Sequence, residues 1–131
     1  NIYNGNEKKK WSRNNVSLFQ QWLNASKKNI LLKTTSFENL RDWTYAKDIP
    51  RAINSIIYYN NNFKILNLVS PYLIKDFKLM KKICSNEKLL LSDNKEVINN
   101  ATVSIYKRKL KFNDWTSPQR GINLIKNNEK N

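Results

Sequence analysis

Arg41 and the pair Asn14-Asn15 are the side chains of this chain with the most definite chemical use. Arg41 lies in an alternating segment, residues 40–46, that reads as a short strand and would hold the side chain in place. A guanidinium held in that way presents a fork that bonds two phosphate oxygens at once, whereas a lysine acts as a point charge. Asn14 and Asn15 open a predicted helix; their amides both donate and accept, and a helix start adds unpaired N–H groups and the positive end of its dipole. Each has a plainer use as well. Arg41 stands near Glu38 and Asp42 and reads equally as half of a surface ion pair, and Asn15 is a good helix cap. Asp48 precedes the next helix and reads as its cap rather than as a catalytic acid or base. No His and one Cys argue against an ordinary zinc site; Cys84, on the apolar side of a predicted helix, reads as a buried and inert thiol.

The elements that must position these groups follow from spacing. Residues 1–14 are polar and turn-rich, with Lys8-Lys9-Lys10 before Trp11. Val16, Phe19, Trp22 and Leu23 then recur at helical intervals, which predicts a helix of about ten to fourteen residues, ended by Lys27-Lys28-Asn29. Residues 30–34 predict a strand, residues 36–39 a turn, and residues 40–46 a second strand on which Trp43 and Tyr45 alternate, one toward the core and one toward a cleft or solvent. Pro50 suits the first turn of a helix burying Ala52, Ile53, Ile56 and Ile57, which closes at Tyr58, Tyr59 and Asn60-Asn61-Asn62. Phe63 to Val69 is the most strand-like run, followed past Ser70-Pro71 by a helix with Phe77, Met80, Ile83 and Cys84 on one face. Leu89-Leu90-Leu91 predicts a short strand, residues 105–110 a basic helical turn, and Ser117-Pro118 the start of a last helix carrying Ile122 and Ile125. Trp22 and Trp115 read as packing residues. Short strands alternating with helices define an α/β class, and 131 residues suit one domain.

A net charge of +14 points toward nucleic acid or an anionic membrane surface. Abundant Lys, Asn and Ile together, however, are the pattern of AT-rich coding, and two Gly in the chain argue against glycine-rich RNA-binding or phosphate-cradling loops. The basic run 107–111 reads as a solvated helix face, with nucleic-acid contact as its alternative. No apolar run of about eighteen residues predicts a membrane span, and no apolar leader follows the polar start, so a cytoplasmic location is expected. Beginning at Asn1 rather than Met, the chain reads as a fragment or a processed product.

Residues 41–53, Arg-Asp-Trp-Thr-Tyr-Ala-Lys-Asp-Ile-Pro-Arg-Ala-Ile, closely resemble the RDxxYVxDIARAI signature of the NAD-dependent epimerase/dehydratase family, the extended short-chain dehydrogenases that rework nucleotide-activated sugars. Other segments are similar in the same order. Asn1-Ile2-Tyr3 resembles the family's NVYGP, with Asn4-Gly5 where Gly-Pro is usual; Asn14-Asn15 resembles an Asn pair that contacts the diphosphate; residues 30–33 resemble the strand beside the nucleotide base. Phe63 to Val69 resembles the late xYNIGSG strand, with Val69 and Pro71 in place of glycines, and Leu110 to Ile122 follows the closing LGWxPxxSLxEGI pattern. The Arg of the family's RPxD segment has no counterpart, Asn99-Asn100-Ala101-Thr102 standing in that neighbourhood.

The resemblance implies the C-terminal part of a Rossmann-type fold, residues 1–131 forming a single nucleotide-sugar-binding portion. By the same resemblance Arg41 would neutralise the diphosphate, Asn15 would hydrogen-bond it, Asn1 would reach the sugar, and backbone groups around Leu32 would frame the base. NAD or NADP would be held by a Rossmann half preceding Asn1, together with the Gly-rich fingerprint, the Ser/Thr and the Tyr-x-x-x-Lys pair, so this chain alone would bind no cofactor and move no hydride. The intact enzyme would be a homodimeric oxidoreductase, isomerase or lyase acting on a nucleoside-diphosphate sugar, and an isolated copy of this chain would expose apolar surface. Two other readings stand beside this one: a non-catalytic basic module that binds RNA, and a stand-alone regulatory domain that retains sugar-nucleotide binding.

Overall fold

Helix α1, Leu18–Lys27, turns Phe19, Trp22 and Leu23 into the core, as their spacing requires. The computed structural model describes residues 1–5, 7–8, 15–58, 68–94 and 112–128. The cap of α1 is Ser17, not Asn15: its Oγ accepts the Gln20 N–H at 3.3 Å, and its own N–H donates to the Glu7 carboxylate at 3.0 Å. The helix ends where Lys28 and Asn29 predicted. Asn29 takes φ 52°, the Ile30 N–H returns to the Ala25 carbonyl at 3.0 Å and the Asn29 N–H to Ser26 at 3.2 Å, closing the last turn.

Six short strands pair in three ladders among the described residues. Strand β1, Ile2–Tyr3, runs parallel to β4, Thr44–Tyr45; β2, Leu32–Thr34, runs parallel to β6, Leu90–Ser92; β3, Leu40–Asp42, runs antiparallel to β5, Leu73–Lys75. Strand β1 lies in the stretch expected to be turn-rich, and β5 intervenes where Ser70-Pro71 was expected to lead straight into a helix. Two- and three-residue strands carry no readable period, and what makes them strands is a partner far away in the chain.

The segment 40–46 is not one strand. It changes partner at Trp43, whose carbonyl accepts the Ser70 hydroxyl at 2.9 Å while the Ser70 N–H donates to Thr44 Oγ1 at 2.9 Å. Trp43 and Tyr45 are both buried, which corrects the expectation that they face opposite ways: residues two apart along an extended chain share a face. Trp43 packs on Phe19 and Trp22, and Tyr45 on Tyr3, so the centre of the main core is aromatic.

Helix α2, Asp48–Tyr58, has Pro50 in its first turn as expected, but it buries Ala52 and leaves Ile53 and Ile57 exposed, with Ile56 half-buried on a small cluster of Ala52, Phe112 and Trp115. Helix α3, Asp76–Ile83, buries Leu79, Met80 and Ile83, with Cys84 buried just past its end. Helix α4, Pro118–Asn128, starts as Ser117-Pro118 predicts and buries Ile122 and Ile125. Lys126 joins the two, its ammonium donating to the terminal carbonyls of Lys82 and Ile83 at 3.2 and 2.9 Å. The mixture of helices with parallel and antiparallel strand pairs is α/β. Of the expected strand over 63–69, residues 63–67 lie outside the described residues and residues 68–69 are in no strand; the turn over 60–62, the basic stretch 105–111, Asn14 and residues 99–102 also lie outside the described residues.

Candidate functional site

Arg41 is central to β3, opposite Ile74 of β5. Cross-strand partners share a face, and so does the residue two further along the partner strand, which here is Asp76 at the first turn of α3. The pleat therefore aims the long Arg41 side chain at Asp76. Its Nε–H donates to Asp76 Oδ1 at 2.9 Å and lies 3.2 Å from Oδ2. The surface partners offered by the sequence are engaged elsewhere: Glu38 pairs with Lys75, and Asp42 accepts from Asn1.

Asp76 is fully buried and is the hub of a polar cluster. Besides Arg41, the Thr34 hydroxyl at the end of β2 donates to Oδ2 at 2.8 Å, and the amide of buried Asn39 donates to the same oxygen at 3.3 Å. The backbone is held too, the Asp76 N–H donating to the Asn39 carbonyl at 2.9 Å. A carboxylate taken wholly out of water needs this many donors, and its place in the first turn of α3 adds the favourable end of the helix dipole. Arg41 itself is mostly covered, its side chain 13% exposed, and among the described residues no hydrogen bond reaches Nη1 or Nη2. The cluster thus presents one oriented edge of a guanidinium. An edge of that kind is suited to two oxygens of a phosphate or carboxylate. Nothing in the sequence marked Asp76 or Thr34; the only available signal was that an apolar-faced helix opens on a carboxylate.

The other expected residues stand as follows. Asn1 immediately precedes β1, its carbonyl accepting the Thr44 N–H at 2.8 Å and its amide donating to Asp42 Oδ1 at 2.9 Å. Asp42 follows Arg41 along the strand, so Asn1 is held at the neighbouring position, where side chains alternate in direction. Asn15 is exposed, two residues ahead of the Ser17 cap, and no hydrogen bond among the described residues joins it to Arg41. The anionic group that the start of α1 attracts is the chain's own Glu7. Leu32 is a core residue with no exposed surface and pairs with Leu90 in the β2–β6 ladder, while Ile30 and Leu31 ahead of it are exposed. Asp48 does not cap α2. Its two oxygens accept from Thr116 N–H at 2.7 Å and Thr116 Oγ1–H at 2.8 Å, and Arg51 approaches at 3.3 Å.

Two surface recesses lie elsewhere. One of about 360 Å³ is framed by Tyr45, Lys47, Asp48, Arg51, Thr116 and Arg120 among others, the second of about 550 Å³ by Phe77, Lys78, Lys81, Lys82 and Gln119. Neither is lined by Asn1, Asn15, Leu32 or Arg41. Among the described residues there is no group of three or more His, Cys, Asp or Glu placed to hold a metal ion, and no helix long and apolar enough to cross a membrane.

Both glycines serve packing. A β-carbon on Gly5 would crowd Ile125, and one on Gly121 would lie 2.8 Å from Tyr3 Cζ; neither glycine has a positive φ. They do not form the tight turn by which a glycine-rich loop brings its backbone to a dinucleotide pyrophosphate.

The sequence matches no protein-family model and no curated protein. The fold is similar to that of dTDP-glucose 4,6-dehydratase from Bacillus anthracis, solved in complex with NAD, with a TM-score of 0.63 and 14% identity; the likeness covers 87% of this chain and 40% of that one. The chain therefore spans well under half of that enzyme's length, and the likeness is one of fold.

Proposed function

We propose that this chain is the nucleotide-sugar-binding portion of an NAD(P)-dependent epimerase or dehydratase of the extended short-chain type, with Arg41 neutralising the substrate diphosphate. The observation that carries the reading is the state of Arg41: its Nε is tied to buried Asp76, while its Nη1 and Nη2 edge has no hydrogen-bond partner among the described residues. The fold likeness to a dTDP-glucose dehydratase over most of this chain supports it. In this reading Asn1 turns its amide from Asp42 toward a sugar hydroxyl, Asn15 closes on the diphosphate from the start of α1, and the backbone beside Leu32 borders the base. The chain's own contribution is to bind and orient the substrate. The nicotinamide, which supplies hydride transfer when bound, belongs to a preceding half that carries the dinucleotide fingerprint.

Calorimetric titration with UDP-, dTDP- and GDP-sugars tests this. The expected result is saturable binding of one base class, weakened roughly tenfold or more by Arg41→Lys, which keeps a cation beside Asp76 but removes the fork. Absence of binding by a chain that circular dichroism shows to be folded, or an affinity indifferent to Arg41→Lys, overturns the proposal.

A further inference from the structure

We infer that Asp76 is a positioning residue: it dictates which edge of the Arg41 guanidinium meets the diphosphate. The inference rests on the reading of Arg41 given above and adds a residue that no sequence motif pointed to.

A guanidinium can take an anion side-on, through Nε and one Nη, or end-on, through Nη1 and Nη2. In this fold the side-on choice is spent internally, because Nε–H is shared between the two Asp76 oxygens at 2.9 and 3.2 Å. Asp76 has little freedom to yield. It is fully buried, it accepts from Thr34 at 2.8 Å and from Asn39 at 3.3 Å, and its N–H is bonded to the Asn39 carbonyl. The end-on edge is what remains, and it comes from the most exposed member of the cluster.

Stability alone is a poor reason for such a cluster. Replacing a buried ion pair by well-packed apolar residues is commonly neutral or favourable to folding, since desolvation offsets the attraction. A buried carboxylate aimed at the inner nitrogen of an arginine acts on what apolar packing does not supply, the direction of the fork. With its torsions already restrained, Arg41 loses less freedom when ligand binds.

The test is a cycle of Arg41→Lys, Asp76→Asn and the double variant, titrated with the sugar nucleotide that the wild-type chain binds. Asp76→Asn is expected to weaken binding roughly tenfold, as loss of support behind a ligand-holding group does, and the double variant to be no weaker than Arg41→Lys alone. A merely structural role would lower the melting temperature of Asp76→Asn and leave affinity untouched. If Arg41→Lys weakens binding and Asp76→Asn does not, the positioning role is wrong and the diphosphate role stands. If Arg41→Lys has no effect, or the folded wild-type chain binds no sugar nucleotide, both fall. Should Asp76→Asn fail to fold, side-chain nitrogen NMR of the wild-type chain decides: added ligand should shift the Arg41 Nη resonances and leave the Nε–H signal in place. A ligand that moves Nε–H instead has displaced Asp76 and overturns the inference.

Discussion

Asp48 and Thr116, 68 residues apart, form a closed two-point clasp: one carboxylate oxygen accepts the Thr116 N–H at 2.7 Å and the other accepts its hydroxyl at 2.8 Å, both residues being buried. The clasp ties the start of α2 to the chain just ahead of α4. Asp48→Ala strands two buried donors and should cost about 3 kcal/mol, with Thr116→Val costing less, about 2 kcal/mol, because the backbone bond survives. Urea unfolding that shows a shift of midpoint at constant slope checks both.

Tyr3 and Gly121 are in such close contact that any side chain on Gly121 must move the Tyr3 ring. Gly121→Ala should destabilise by about 2 kcal/mol through overpacking. Among the described residues the Tyr3 hydroxyl has no hydrogen-bond partner, so Tyr3→Phe removes an unsatisfied buried group and should stabilise by about 1 kcal/mol. Thermal melts of the two variants should therefore move in opposite directions.

Alkali offers a third test. Burial, and then the nearby Asp48 charge, push the phenols of Tyr3 and Tyr45 above their ordinary range. Both phenols should ionise above the ordinary tyrosine range in an ultraviolet absorbance titration. Above about pH 10 the unfolded chain gives up these protons before the folded one does, so their linkage lowers stability as pH rises through that region and has no effect below it. Tyr3→Phe should flatten the decline.

Arg41 and Thr34, which both donate to Asp76, should differ in what their loss does to folding. Arg41→Ala leaves a buried carboxylate with two neutral donors and should cost about 3 kcal/mol. Thr34→Val, which removes one neutral donor, should cost about 1 to 2 kcal/mol. Denaturant melts of the two variants measure the difference, and equal losses would mean that the ion pair contributes no more than an ordinary hydrogen bond.

What the chain shows before folding is its local periodicity. Phe19, Trp22 and Leu23 recur at helical spacing, as do Phe77, Met80 and Ile83, although Leu79 is buried where Phe77 is only half-buried, and Ser117-Pro118 opens the helix that carries Ile122 and Ile125. Apolar spacing and helix caps act within one or two turns, so sequence alone determined three of the helices and most of the residues they bury. It also put Arg41 on a strand, because alternation is local in the same sense.

Partnership is not local, and only the tertiary structure decided it. Arg41 has acidic residues within a few positions, yet it bonds Asp76, 35 residues on, because the β3–β5 register aims it there. Asp48 has the composition of a helix cap and became a clasp for Thr116, because the returning chain brings a second pair of donors within reach. Strands β1 and β4 are too short to show a period, and each exists through the hydrogen bonds of the other. A charged or extended residue carries the same local signal whichever partner it finds. Which partner it finds depends on the closure of the whole chain, and at Arg41 that closure tied Nε to the buried Asp76.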